Sequence, residues 1–285
     1  MDSAESLSVL NRPYEMKEVS DACKKARKKL GFVPTMGALH QGHISLIEKA
    51  VERADVTVAS IFVNPTQFGP GEDFDRYERD YEGDIKKLEH CGVDYLFYPD
   101  VSDIYPGGFE TTVSVGNLGN CLCGPFRPGH FDGVATVVLK LFNVVRPDFA
   151  VFGRKDYQQL KIIQKMVRDF DMDIEIVEMP IIREPDGLAM SSRNAYLSAE
   201  QRIRAAAVNK ALREVGEKFK SGCDDCRILL SEANRVLRMA QINDIDYIEI
   251  RDPETLELRH RVVEGDLVAL AVRVGDTRLI DNTVL

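Results

Sequence analysis

The sequence predicts an α/β protein in which a mainly parallel sheet, covered by helices on both faces, precedes a smaller C-terminal α+β domain. Three observations carry that expectation. Short apolar, β-rich runs alternate with helical stretches through the first part of the 285-residue chain. The pattern changes near residue 183, at the turn-like segment Arg183-Glu184-Pro185-Asp186-Gly187. The final stretch then switches to an alternation of period two. A chain of this length can bury one large core or two smaller ones, and the change of pattern favours a division into residues 1–182 and 183–285.

The elements follow in order. Gly31-Phe32-Val33 is the first expected strand, and Ile44 to Ala54, apolar at Ile44, Leu46, Ile47, Ala50, Val51 and Ala54, reads as an amphipathic helix. Val56 to Val63 has the continuous apolar character of a parallel strand buried on both faces. Val93 to Tyr98 and Phe149 to Phe152 are further strands, with Ile174 to Val177 at an edge or last. Gly133 to Val145 is apolar nearly throughout and predicts an inner helix, whereas Tyr157 to Phe170 keeps a polar face. Ser198 can cap a long helix reaching about Phe219, because its oxygen can accept a first-turn N–H while Gln201 stands at the reciprocal position. A second helix spans about Asp225 to Met239. The strands Tyr247–Ile250, Val268–Val272 and Thr277–Ile280 are separated by Asp-Pro and Gly-Asp turns.

Composition narrows the class. A net charge of −9 argues against a general nucleic-acid binder. The N-terminus has neither a long apolar run nor the layout of a signal peptide, so a soluble cytoplasmic protein without membrane association is expected. Six cysteines in a chain this long do not require disulfides. Cys121-x-Cys123 and Cys223-x-x-Cys226 have the spacing of metal half-sites, but they lie far apart, and ordinary thiols are the favoured reading.

Chemistry concentrates at Thr35-Met36-Gly37-Ala38-Leu39-His40-Gln41-Gly42-His43. Two histidines and flanking glycines stand where a strand gives way to a helix. Unpaired N–H groups at a helix start attract anions, glycine permits close backbone approach, and imidazole can donate to phosphate oxygens without a permanent charge. That combination fits a polyphosphate site. A metal half-site or a plain surface pair are the alternatives, and a zinc hydrolase would need a third ligand and the glutamate that His-Gln-Gly-His lacks.

Other segments fall at neighbouring strand ends. Asn64-Pro65-Thr66-Gln67-Phe68-Gly69 follows a strongly apolar strand and offers amides for a small polar substrate, or merely local caps for a turn. Arg127-Pro128-Gly129-His130 could place a cation over a ligand or only reverse the chain. Gly153-Arg154-Lys155-Asp156 supplies a mobile charge suited to phosphate in Lys155, with Asp156 either capping the next helix or meeting ribose hydroxyls. Gln159 lies one turn into that helix. Met190-Ser191-Ser192-Arg193-Asn194 could close hydroxyls and a guanidinium over triphosphate, or be a solvated linker.

Taken together, the order and spacing of Pro34 to His43, Phe62 to Phe68, Arg127 to Phe131, Phe152 to Leu160 and Met190 to Asn194 resemble the pantothenate synthetase, or pantoate–β-alanine ligase, family over nearly the whole chain. The His-x-Gly-His core alone would indicate only the wider adenylyl- and nucleotidyl-transferase superfamily. The resemblance implies a Rossmann-like nucleotidyltransferase domain, a C-terminal lid domain that closes on the site, and a homodimer. It implies that ATP activates pantoate to pantoyl adenylate and pyrophosphate, after which β-alanine attacks to give pantothenate and AMP.

Carried onto this sequence, the resemblance makes Met36, Gly37, Ala38, Leu39, His40, Gln41, Gly42 and His43 the lining of the ATP site, with His40 holding phosphates and His43 a proton donor. Gln67 and Gln159 would hold pantoate, Gln67 also lying near β-alanine. Gly153, Arg154, Lys155, Asp156, Ile182, Met190, Ser191, Ser192 and Arg193 would complete the nucleotide site, and Asp84 would help place magnesium. His40, His43, Lys155 and Arg193 are the expected catalytic groups. Gln41, where glutamate is common, Arg154, where glutamate or glutamine is frequent, and Glu78, where proline is frequent, depart from the family pattern without removing a reacting group. Simple nucleotidyl transfer to a phosphorylated acceptor is the rival enzyme class, although Gln67 and Gln159 favour a small polar acid. A noncatalytic nucleotide sensor is a second rival.

Overall fold

The computed structural model describes residues 7–285. Residues 1–6, which include the start of the expected 1–182 segment and of the N-terminal reading, lie outside the described residues. The chain forms two compact units. The first comprises residues up to Gly116 with Arg127–Arg154 and Ile162–Pro180, and the second comprises Asn117–Phe126, Lys155–Lys161 and Ile181–Leu285.

The first unit is built on a parallel sheet of β1 (Ser8–Leu10), β2 (Leu30–Thr35), β3 (Val56–Ile61), β4 (Tyr95–Phe97), β5 (Phe149–Gly153) and β6 (Glu175–Met179), in the order β1-β4-β3-β2-β5-β6. The helices in chain order are α1 (Pro13–Ala26), α2 (Gln41–Arg53), α3 (Tyr81–Cys91), α4 (Val101–Ile104), α5 (His130–Val145) and α6 (Tyr157–Asp169), the last belonging to this unit from Ile162 onward. Every residue of β3 is buried, as a parallel strand covered on both faces requires. The apolar reading of α5 holds: Phe131, Val134, Val138, Leu141 and Phe142 are all buried. Edge strand β6 is partly exposed. Neither β1 nor α1 was expected from the pattern. A three-residue strand is below the length at which alternation can be recognised, and it exists through parallel pairing with β4.

This order places the site. From β2 the chain winds outward through β3 and β4, then returns to β2's other side as β5. Such a reversal leaves a crevice beyond the carboxyl ends of the two central strands, where open α/β sheets bind ligands. β2 runs out into Met36–His43, and β5 into Arg154. The pairing of β2 with β5 needs Gly31, because a Cβ there would sit 2.6 Å from the Phe149 ring.

The second unit packs α7 (Ala199–Ala205), α8 (Ala207–Lys220) and α9 (Cys226–Met239) with an antiparallel sheet of β7 (Asp244–Arg251), β8 (Leu267–Val274) and β9 (Thr277–Val284). Its core joins Val208, Leu212 and Val215 of α8 to Leu229, Ala233 and Leu237 of α9 and Val268, Leu270 and Val272 of β8. Ser198 and Gln201 form the expected reciprocal cap. The single long helix expected after it is instead two, divided at Ala206. Neither glycine nor proline marks that break, which lies beside the fully buried Ala205. All six cysteines are free thiols.

Candidate active site

The turn after β2 is held from three sides. Thr35 Oγ1 donates to the Ser60 carbonyl at 2.8 Å and accepts the Gly37 N–H at 3.2 Å. Gly37 has φ +82° and Ala38 φ +48°, so the chain passes through a left-handed bend that glycine adopts without strain. Asp84, from α3 and only 1% exposed, accepts the Leu39 N–H at 2.8 Å. Its other oxygen lies 3.1 Å from where a Cβ on Gly37 would stand, which binds the glycine to this packing.

The histidines then open α2. His40 is the N-cap residue, its Nδ1 accepting the Gly42 N–H at 3.1 Å, while His43 Nδ1 accepts the His40 N–H at 3.3 Å. Their rings lie 4.1 Å apart between centroids. A nitrogen that accepts carries no proton, so in each ring the proton resides on Nε2. The backbone thereby fixes both tautomers. Gln41 is exposed at the first helical position, and Gly42 is half-buried beside it.

The turn after β3 presents Gln67. Asn64 caps a 3-10 turn over Pro65–Gln67: its Oδ1 receives the Thr66 N–H and the Tyr105 hydroxyl, and its Nδ2 donates to Gln67 Oε1 and the Gly133 carbonyl. The Gln67 amide is thereby oriented with Nε2 3.0 Å from the Met36 sulfur. Capping by Asn64, one of the two alternatives open in the sequence, is thus observed. Met36, Gly37 and Asp84 also line a cavity of ≈ 190 Å³ with Phe62, Arg79 and Tyr98. Sites for drug-sized ligands span roughly 300–1,000 Å³, and this cavity is smaller.

Arg127 is bonded to its own chain. Nε and Nη2 make a two-pronged bond to Glu72 at 2.7 and 2.6 Å, and Nη1 lies 2.9 Å from His130 Nε2. His130 Nδ1 is 2.7 Å from the Gln67 carbonyl, which can only accept, so His130 donates there and receives from Arg127. Burial works against charge on Glu72, but the Arg127 hydrogen bond and charge outweigh it and hold the carboxyl below its usual range. The guanidinium is committed within the protein.

At the end of β5, Gly153 is half-buried and Arg154 Nε donates to Glu178 at 2.8 Å on the surface. Glu78, the third departure, is exposed.

In the second unit, Lys155 and Asp156 occupy a 3-10 turn that leads into α6, with Lys155 Nζ 3.7 Å from Asp156. Gln159 follows, half-buried, on the first turn of α6. Its neighbour Gln158 is buried, accepting the Cys123 N–H and donating to the Leu118 and Cys121 carbonyls. Ile182 and Met190 are brought together by a tight hairpin, the Met190 N–H donating to Ile182 at 2.9 Å. The hairpin turns at Gly187, φ +90°. Ser191 then caps the 3-10 turn Ser192–Tyr196 by accepting the Arg193 N–H, and Asn194 ties that turn to Glu184 and Ala189. Sequence reasoning passed over Asp84's backbone bond, the Glu72 partner of Arg127, and Arg183 with Asp281. Each pairs residues remote in sequence, and a lone chain gives no signal of that.

A parallel α/β sheet with a glycine–histidine turn at its switch point after β2, and amides at the end of the neighbouring β3, is the arrangement of an α/β enzyme that takes its ligand beyond the strand ends. Comparison with known proteins fixes which. A profile of pantoate-beta-alanine ligases matches residues 8–284. The chain is 51% identical over 277 residues to the pantothenate synthetase of Caldicellulosiruptor bescii, covering 97% of this chain and 98% of that one. It is likewise 51% identical over 279 residues to that of Trichlorobacter lovleyi, covering 98% and 99%. Among solved structures, pantothenate synthetase from Thermus thermophilus superposes with a TM-score of 0.93 at 45% identity, covering 97% of this chain and 99% of that one. A pantoate-beta-alanine ligase from Francisella tularensis, complexed with beta-gamma ATP and beta-alanine, gives 0.83 at 36% identity, covering 98% and 97%. The chain belongs to the pantoate-beta-alanine ligase family.

Proposed function

We infer that this enzyme condenses (R)-pantoate with β-alanine at the expense of ATP, giving pantothenate, AMP and pyrophosphate through an enzyme-bound pantoyl adenylate. The observation that carries the residue assignment is the pair of backbone-fixed tautomers at His40 and His43, which set two Nε2–H donors at the start of α2. A helix start with such donors suits phosphate. A carboxylate is a poor electrophile, and attachment to AMP converts its oxygen into part of a leaving group.

In this reading Met36 to His43 line ATP, with Gly153 to Asp156, Ile182 and Met190 to Arg193 as its further contacts. Gln67 and Gln159 hold pantoate. Holding the pantoate oxygen in line with the α-phosphorus contributes roughly 7–11 kcal/mol in favourable cases. His40, His43, Lys155 and Arg193 stabilise charge as it moves to the departing pyrophosphate.

Magnesium fits this donor set in one way. Among the described residues no group of three His, Cys, Asp or Glu side chains forms a cage, but Mg²⁺ is commonly held by one or two carboxylates with substrate phosphates and water. Asp84 is a carboxylate bonded directly to the loop, and the ion would neutralise triphosphate charge. A homodimer acting in the cytoplasm completes the reading. Among the described residues no helix is long and apolar enough to cross a membrane, and the −9 charge disfavours nucleic acid.

The deciding experiment is isotope exchange between pyrophosphate and ATP. Exchange should require pantoate and proceed without β-alanine. A folded, magnesium-supplied enzyme that shows no exchange, and releases no AMP in the complete mixture, sinks the proposal; transfer of AMP to a phosphorylated acceptor supports simple nucleotidyl transfer instead.

A further inference from the structure

Two adjacent residues of β9 are polar and nearly inaccessible: Asp281 is 2% and Asn282 5% exposed. Burying polar groups is costly unless they are paired, so the partners show what the burial accomplishes. Asn282 Nδ2 donates to the backbone carbonyl of Lys155 at 3.0 Å. Asp281 receives a two-pronged bond from Arg183, Nη1 to Oδ2 at 2.7 Å and Nη2 to Oδ1 at 3.0 Å. Arg183 Nη1 also donates to the Gly187 carbonyl at 3.0 Å. Arg183, on the first limb of the hairpin that joins Ile182 to Met190, thereby links the turn of that hairpin at Gly187 to one side chain of β9. The Asp281 Oδ1 further receives the backbone N–H of Asn282 at 2.8 Å, which fixes the carboxylate against the main chain of β9.

We propose that Asn282 is a positioning residue for Lys155, and that Asp281, through Arg183, positions the hairpin that delivers Met190–Arg193. The inference rests on the phosphate role proposed above for Lys155 and Arg193. Lysine is a point charge on a flexible stem, so its usefulness at a triphosphate depends on how firmly its root is held. Asn282 holds that root by bonding the Lys155 peptide carbonyl, while the ammonium stands 3.7 Å from Asp156. A buried ion pair contributes little to net stability and is better suited to fixing geometry, which is the role assigned to Arg183 and Asp281. Successive side chains of a strand point to opposite faces, so one dipeptide can serve two separate segments.

The test compares Asn282→Ala and Asn282→Asp with the parent enzyme in pantoate-dependent pyrophosphate–ATP exchange. Asp keeps the volume but has no N–H to donate, so it decides the question should the Ala variant fail to fold. Loss of one hydrogen bond that matters in the transition state corresponds to roughly tenfold in rate. Both variants should lose about that much kcat, with the KM for pantoate changed less than about threefold. The same substitutions are then made in Lys155→Ala. A residue acting through Lys155 should have no further effect there, whereas a general structural role would multiply the two losses. Normal exchange in the Asn282→Asp enzyme, or fully multiplicative losses, overturns the proposal. Absence of exchange in the parent enzyme would instead overturn the functional reading on which it rests.

Discussion

His43 Nδ1 accepts the backbone N–H of His40 at 3.3 Å, so each of the two histidines that face the helix start is oriented by the main chain. His40 combines two jobs: its ring caps α2 through the Gly42 N–H, and its Nε2–H is assigned to phosphate. The jobs can be separated. Asparagine is among the best capping residues, so His40→Asn should preserve stability, while His40→Ala should cost about 1 kcal/mol. Both should lose exchange activity by roughly a hundredfold, the scale of one transition-state donor. Full activity in His40→Asn would reduce the residue to a cap.

Asp84 is assigned both to the Leu39 N–H and to magnesium. Asp84→Ala removes a charged acceptor from a buried N–H and should destabilise the fold by roughly 1.5–3 kcal/mol. Asp84→Asn retains an oxygen for Leu39 but no charge, and its thermal unfolding should lie nearer the parent. The same variant should need more magnesium for half-maximal exchange. An unchanged magnesium titration removes Asp84 from the metal and leaves it as support for the turn.

The Glu72–Arg127 pair predicts a pH dependence. Burial opposes the Glu72 charge, Arg127 more than compensates, and the folded carboxyl titrates below its unfolded range. A depressed carboxyl contributes stability that is complete above the ordinary glutamate range and is lost as pH falls through the lowered value. Glu72→Gln should therefore be less stable than the parent at neutral pH, by roughly 1–3 kcal/mol for a partly buried charged hydrogen bond. The difference should shrink as acid unfolding is approached. A constant difference across the acid range would show that the lost packing, not the charge, is responsible.

Gly133 lets α5 approach the Gln67 turn closely: a Cβ there would stand 2.4 Å from the Thr66 carbonyl oxygen. Gly133→Ala should cost roughly 1–3 kcal/mol through overpacking. It should also raise the KM for pantoate more than that for ATP, because the displaced turn carries Gln67. Equal increases for both substrates would argue for a general disturbance.

Much of this was legible in the chain alone. The strands at Gly31–Val33, Val56–Val63 and Phe149–Phe152 lie inside or across the observed β2, β3 and β5, since a strand buried on both faces must be continuously apolar. The reciprocal cap at Ser198 and Gln201 could be read because its partners are three residues apart. The glycine–histidine turn and the strand-end loops could be read because motifs of that kind are local. The break at Ala206 could not, since nothing in an alanine run distinguishes a bent helix from a straight one.

What the sequence determined is the inventory: which segments prefer strand or helix, and which chemical groups stand at their ends. Only the tertiary structure decided the partners. It joined Asp84 to Leu39, Glu72 to Arg127, Cys123 to Gln158, and Asn282 to Lys155, across 35 to 127 positions of chain. Local propensity acts over a few residues and leaves its mark in the residues themselves. Pairing of remote polar groups arises when the strand order brings them within hydrogen-bond distance, and a buried amide or carboxylate accepts whichever partner that order supplies.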